Sequence, residues 1–202
     1  MGKQIGIKKK IQGHTNIALD SDGQRESIAI SEALDKDSIG LIFSSPLKRA
    51  YSTIEPLARR KQKAIIYSKN LIERGLGVVE GLEIGNITSA KAYEQKLILL
   101  KTAKKNYRPD GGESLYDVSI RVREFLDFLS TINIKGIVVC MTHGGVLDIL
   151  YRIIMNEPLS SERKWVIPNG AFFLLERCES DFKIIKWAET NHLNGRGMLD
   201  EY

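Results

Sequence analysis

The sequence predicts an α/β protein, a mostly parallel central sheet with helices on both faces, formed by one domain over residues 1–202. Three observations carry that prediction. Short apolar runs at 3–7, 40–43, 64–67 and 137–141 alternate with segments whose apolar residues recur at helical spacing, the pattern of parallel strands joined by crossover helices. The fourth run ends at His143, and Gly144-Gly145 then open an amphipathic stretch to Ile154, so a strand delivers an imidazole to a helix N-terminus. Two late apolar runs, 171–175 and 182–185, flank polar Ser180-Asp181 and read as a closing hairpin at or near a sheet edge.

Taken in order, Lys3 to Ile7 reads as a short strand and Ile11 to Leu19 as an irregular polar loop. Asp20 is placed to cap a helix running to about Asp37, its inner face marked by Ile28, Ala29, Ala33 and Leu34. Gly40 to Phe43 is the second strand. Ser45-Pro46 signals the next helix start, with Ala50, Ile54, Leu57 and Ala58 facing inward and Arg49 in the first turn. Ala64 to Tyr67 is the third strand. The loop after it holds Glu73 and Glu80 among glycines. Gly75, Gly77 and Gly81 are spaced one residue too long for a dinucleotide fingerprint and no helical pattern follows, which argues against a nucleotide site. A helix is expected from Thr88 to Lys105, broken by Pro109-Asp110-Gly111-Gly112. Leu115, Val118, Val122, Phe125, Leu126 and Leu129 then mark one face of a second amphipathic helix.

Composition narrows the function classes. No run of about 18 apolar residues and no apolar signal core is present, so neither a membrane span nor secretion is expected, and a cytoplasmic protein is. Cys140 and Cys178 form no CxxC pair and lie in strand-like runs, which suits buried thiols rather than a disulfide or a metal site. A cysteine phosphatase would need an arginine where Val146 stands. Net charge is +5 and Lys8-Lys9-Lys10 cluster, but acidic residues are interspersed and no aromatic-rich motif accompanies the lysines. An anionic small substrate therefore accounts for the excess better than nucleic acid.

His143 at a strand end and Arg49 at the start of a helix are both placed for phosphate oxygens, the arginine because its fork of donors is always charged. Around them stand Gln12-Gly13, Ser44-Ser45-Pro46-Leu47-Lys48-Arg49-Ala50, Glu73 to Gly81, Gly111-Gly112-Glu113-Ser114, Thr142-His143-Gly144-Gly145 and Asn169. In this order and spacing they resemble the histidine phosphatase superfamily, which includes phosphoglycerate mutases and small bacterial phosphatases, over about residues 11–193. The resemblance implies a phosphoglycerate mutase-like fold and hydrolysis of a small phosphorylated metabolite through a phosphohistidine, with no metal or other cofactor. It also implies roles: His143 as the second histidine of the site, Arg49 and Gly144 as phosphate-binding, Glu73 as proton donor, and Gln12, His14 and Asn169 in substrate-side loops. The short gap between Leu82 and Asp110 resembles phosphatases more than mutases.

One departure bears on activity. In the family the first strand runs into Arg-His-Gly-Glu-Thr, which supplies the nucleophile; here Ile5-Gly6-Ile7 is followed by Lys8-Lys9-Lys10-Ile11, as if the catalytic loop were deleted near residues 7–11. His14 does not restore it, because Asn16 through Gly23 continue the segment downstream of that motif, and His192 is expected to be structural. Two expectations follow: an impaired phosphomonoester phosphatase, or a phosphate-ester-binding or regulatory pseudoenzyme. If the chain assembles, a homodimer is the expectation, being the commonest symmetric form.

Overall fold

A computed structural model describes residues 11–82, 105–179 and 181–194. The expected strand at 3–7, the helix from Thr88 apart from its last residue, and Ser180 lie outside the described residues.

The central sheet has β1 (Ile39–Ser44) in the middle, with β2 (Ile65–Tyr67) and β3 (Ile137–Met141) parallel to it on either side. Pleating sends alternate side chains to opposite faces. Ile39 and Ile42 of β1, with Val139 and Met141 of β3, pack on Ile54, Leu57 and Ala58 of α2 (Lys48–Lys61). Phe43, with Val138 and Cys140, packs on Phe125 and Leu129 of α3 (Leu115–Thr131). Helices thus cover both faces, as the alternating sequence pattern predicts. A third cluster joins Val118, Val122 and Leu126 of α3 to Val146 and Ile149 of α4 (Gly144–Ile154).

Helix starts follow their caps. The Asp20 carboxylate accepts from Gly23 N at 2.8 Å to open α1 (Ser21–Ala33). At α3 the Ser114 hydroxyl accepts from Asp117 N at 3.1 Å while Asp117 Oδ2 accepts from Ser114 N at 2.8 Å, a reciprocal capping box. Ser114→Ala is expected to cost about 1 kcal/mol and to lower Tm by roughly 2–4 °C, which a thermal melt followed by circular dichroism measures.

The structure refines three expectations. First, α1 stops at Ala33, and its buried residues are Ser27, Ile30 and Ser31, whereas Ile28 is 51% exposed. The inner face sets Ile30 between Ser27 and Ser31, a mixed face that apolar spacing alone misses; Ser27 Oγ donates back to Gln24 O at 2.7 Å and is thereby satisfied. Second, the expected hairpin forms from β4 (Phe172–Cys178) and β5 (Asp181–Glu189), antiparallel and paired with each other among the described residues. Phe182 packs it on the α3–α4 cluster. Third, Cys178 is exposed, because β4 ends beyond the cover of the helices; Cys140 does sit against the α3 side, where burial pushes its thiol up to about 12. No helix among the described residues is long and apolar enough to cross a membrane.

Candidate functional site

Because β1 and β3 are parallel and pair Ser44 with Met141, the residues that follow them emerge side by side at one edge of the sheet. Ser45 N donates to Met141 O at 2.9 Å, carrying the ladder one step further, and brings Ser45 beside His143. His143 is the N-cap residue of α4, with its carbonyl accepting from Leu147 N at 3.0 Å. Its ring is buried, and Nε2 lies 2.7 Å from Ser45 Oγ. Burial first, then the positive charges of Arg49, Arg121 and His14, hold the imidazole well below its usual range, down to about 3. His143 is therefore neutral at physiological pH.

Glu73 arrives from the loop after β2. Its Oε1 accepts from Arg74 N at 2.7 Å and its Oε2 from Gly145 N at 3.3 Å, which seats the carboxyl against the first turn of α4. A Cβ on Gly145 would overlap Glu73 Oε1, so this approach requires the glycine. Desolvation raises the Glu73 pKa and outweighs the two N–H donors and the nearby Arg49 and Arg121, all of which lower it.

Arg49 stands in the first turn of α2. Its Nη1 donates to Thr15 O at 3.0 Å and Nη2 to Gly13 O at 2.9 Å, so the turn at 12–15 braces it. Asn16 Oδ1 accepts from Lys48 N at 2.7 Å, tying the same loop to the start of α2. Gly13 has a φ of +47°, and any Cβ there would collide with the Glu80 carboxylate. Gln12 contributes its carbonyl to this turn by accepting from Thr15 N at 2.8 Å. The site thus brings together Arg49, Glu73, His143 and Gly144, with Gln12 on its bracing turn. His14 joins the rim, with Nε2 2.6 Å from Glu73 O and 3.8 Å from Glu113 Oε2. Asn169 is exposed in the turn before β4 and has no bond to this group.

Three participants went unassigned in the sequence. Arg121, on α3, donates through Nε to Glu113 Oε1 at 2.9 Å and through Nη2 to Glu113 Oε2 at 3.1 Å, while Nη1 reaches Asn70 O at 2.8 Å and Nη2 also reaches Glu73 O at 3.3 Å. Glu113 Oε2 in turn accepts from Gly75 N at 2.8 Å. This pair clamps both ends of the segment that carries Glu73. The signal for Arg121 was its place beside Val118 and Val122 on the inner face of an amphipathic helix. Ser45, fully buried, carried no local signal beyond the Ser-Pro helix start. Among the described residues no cluster of three His, Cys, Asp or Glu side chains could hold a metal ion.

A parallel sheet whose carboxyl edge gathers a neutral imidazole, a buried carboxyl and two guanidinium groups defines an α/β protein with a cluster of titratable and cationic groups at its strand ends. More narrowly, the chain belongs to the histidine phosphatase superfamily, branch 1, whose family model matches residues 4–190. Phosphoglycerate mutase-like protein 4 of Arabidopsis thaliana is 28% identical over 195 residues, covering 95% of this chain and 83% of that protein. Phosphoserine phosphatase 1 of Hydrogenobacter thermophilus is 24% identical over 184 residues, covering 91% and 86%. Among solved structures, mycobacterial glucosyl-3-phosphoglycerate phosphatase in complex with VO3 superposes with a TM-score of 0.75 at 25% identity, covering 91% of this chain and 92% of that one. The phosphoglycerate mutase-like architecture expected from the sequence is the one found.

Proposed function

We propose that this cluster is a phosphate-ester site for a small phosphorylated metabolite, and that the chain is a phosphomonoester phosphatase with impaired turnover. The observation that carries this reading is the convergence of Arg49, His143 and the buried Glu73 at the strand ends. Phosphoryl transfer spreads negative charge over three equatorial oxygens and needs fixed donors around them, with an acid for the leaving oxygen. In this reading Arg49 supplies a charged fork, His143 and the Gly144 end of α4 supply neutral donors, and Glu73, its pKa raised, supplies the proton. Relatives named for phosphoserine and glucosyl-3-phosphoglycerate hydrolysis support that substrate class. Residues 1–202 act as one domain, and the unpaired cysteines suit the cytoplasm.

The impairment rests on the histidines. The sequence has three, and none lies in an Arg-His-Gly motif. His14 has its Nε2 engaged with Glu73 O, and His192 is stacked on Phe172 at 4.0 Å and bonded to Gly170 O. Both rings are thereby tied to the fold through Nε2. The same observation favours the second reading, a pseudoenzyme that binds phosphate esters without turning them over.

Calorimetry with inorganic phosphate and phosphoserine tests the site: Arg49→Ala is expected to weaken binding roughly 10- to 100-fold, the range of a charge-assisted hydrogen bond. Phosphate release from para-nitrophenyl phosphate and a sugar-phosphate panel tests turnover. It is expected to appear when Arg-His-Gly-Glu-Thr is inserted after Ile7 and to be negligible without it. Brisk release by the native chain that is indifferent to His143→Ala would sink the site assignment.

A further inference from the structure

We propose that Ser45 is a positioning residue that locks His143 in the tautomer protonated on Nδ1, so that the imidazole offers its Nδ1–H to an anion at the strand ends. The inference extends the phosphate-site reading, but its first test does not use a phosphate.

Hydrogen-bond accounting leads to this assignment. Ser45 is completely buried, so its hydroxyl has no recourse to bulk water. Leu47 N donates into Ser45 Oγ at 3.3 Å, leaving the hydroxyl with one proton to place. The neighbouring Ser44 hydroxyl is a donor to Ser45 O at 2.9 Å and uses its own proton there. Among the described residues, the acceptor within reach of the Ser45 proton is His143 Nε2, at 2.7 Å. The reverse polarity, Nε2–H donating to Oγ, would leave a buried hydroxyl proton with no acceptor, and such groups are expensive. A neutral imidazole that accepts on Nε2 carries its proton on Nδ1. Nδ1 has no partner among the described residues and is thus the nitrogen left for a ligand.

The arrangement has a chemical use. Burial first, and then the positive charge of Arg49 and Arg121, resists a second proton on the ring. A neutral ring can still donate, but only if the proton sits on the nitrogen that meets the ligand. Ser45, at the end of β1 and joined to β3 by its own backbone N–H, fixes that choice from the sheet rather than from a loop.

The test is tautomer-resolved NMR on the full chain with 15N-labelled histidine, using two-bond nitrogen–proton correlations at pH 7 without ligand. The three histidines are assigned with His14→Asn and His192→Asn. The wild-type His143 ring is expected to show the Nδ1–H pattern. Ser45→Ala is expected to mix the tautomers or move the ring to Nε2–H, while Ser45→Thr, which keeps the hydroxyl, restores the original pattern. An Nε2–H pattern in the wild-type chain overturns the proposal even if Ser45→Ala does not fold, and an unchanged pattern in folded Ser45→Ala overturns it as well. Phosphate titration then separates the two readings. Binding about tenfold weaker in Ser45→Ala, with Ser45→Thr near wild type, joins the tautomer to the site. No phosphate binding by the wild type would defeat the phosphate-site reading and leave the tautomer result standing.

Discussion

Acidification from pH 6.5 to pH 4 is expected to remove about 3 kcal/mol of stability through His143 alone, the product of roughly 1.4 kcal/mol per pH unit and the interval over which only the unfolded ring takes a proton. The folded imidazole is held down to about 3 by burial and by the charges of Arg49, Arg121 and His14, whereas the unfolded one titrates near 6.5. Between those values the unfolded chain binds one more proton than the native chain, so stability falls as the pH falls. Above 6.5 both forms are neutral and the contribution is constant. His192 is shifted in the same direction, by burial, and adds to the slope. Urea unfolding of the wild type and His143→Gln at half-unit pH steps isolates the effect: the variant is expected to lose the His143 share of the acid slope. Superimposable pH profiles would show that the native ring takes up its proton as readily as the unfolded one, and would overturn the lowered value.

Glu73→Gln is expected to lower kcat by roughly 10²- to 10⁴-fold in the chain carrying the inserted Arg-His-Gly-Glu-Thr, because an amide cannot pass a proton to the leaving oxygen. KM should change much less, since the amide oxygen can still accept from Arg74 N. A substrate with a good leaving group separates this role from a structural one: para-nitrophenolate needs little protonation, so its turnover should fall less than that of an alkyl phosphate. Equal losses on both substrates would count against Glu73 as the acid. The variant also carries a stability signature of opposite sign to that of His143. Since the folded Glu73 pKa is raised, the native state holds its proton longer, and stability that is full below the ordinary carboxylate range is lost as the pH rises through the folded value. Replacing the carboxyl with a permanently neutral group removes that loss at pH 7–8.

The two effects share one cause, the burial of groups that water would otherwise charge. A neutral imidazole and a carboxyl with a raised pKa lie side by side under two guanidinium groups, and both are held by backbone N–H groups or hydroxyls on rigid elements.

The sequence by itself determined the layout. Strand–helix alternation named the parallel sheet, the inner face of α2 was readable from Ala50, Ile54, Leu57 and Ala58, and the caps at Asp20 and Ser114 or the Ser-Pro start before α2 put helices where they form. The strand that ends at His143 and the glycines after it pointed to the candidate site, and the motifs set in order named Arg49 and Glu73, which the structure brings beside His143. These features are local: periodicity, capping and turn chemistry act between residues a few positions apart. Only the tertiary structure decided the rest. Ser45 meets His143 across 98 positions and Gly145 meets Glu73 across 72, and no local pattern pairs them. Arg121 clamps the Glu73 segment because α3 packs against the loop after β2, not because of its neighbours in sequence. The mixed face of α1, where Ile30 lies between Ser27 and Ser31, and the exposure of Cys178 were set by what each surface met. Protonation belongs to the same class, since desolvation and the field of distant charges exist only when the chain has brought those groups together.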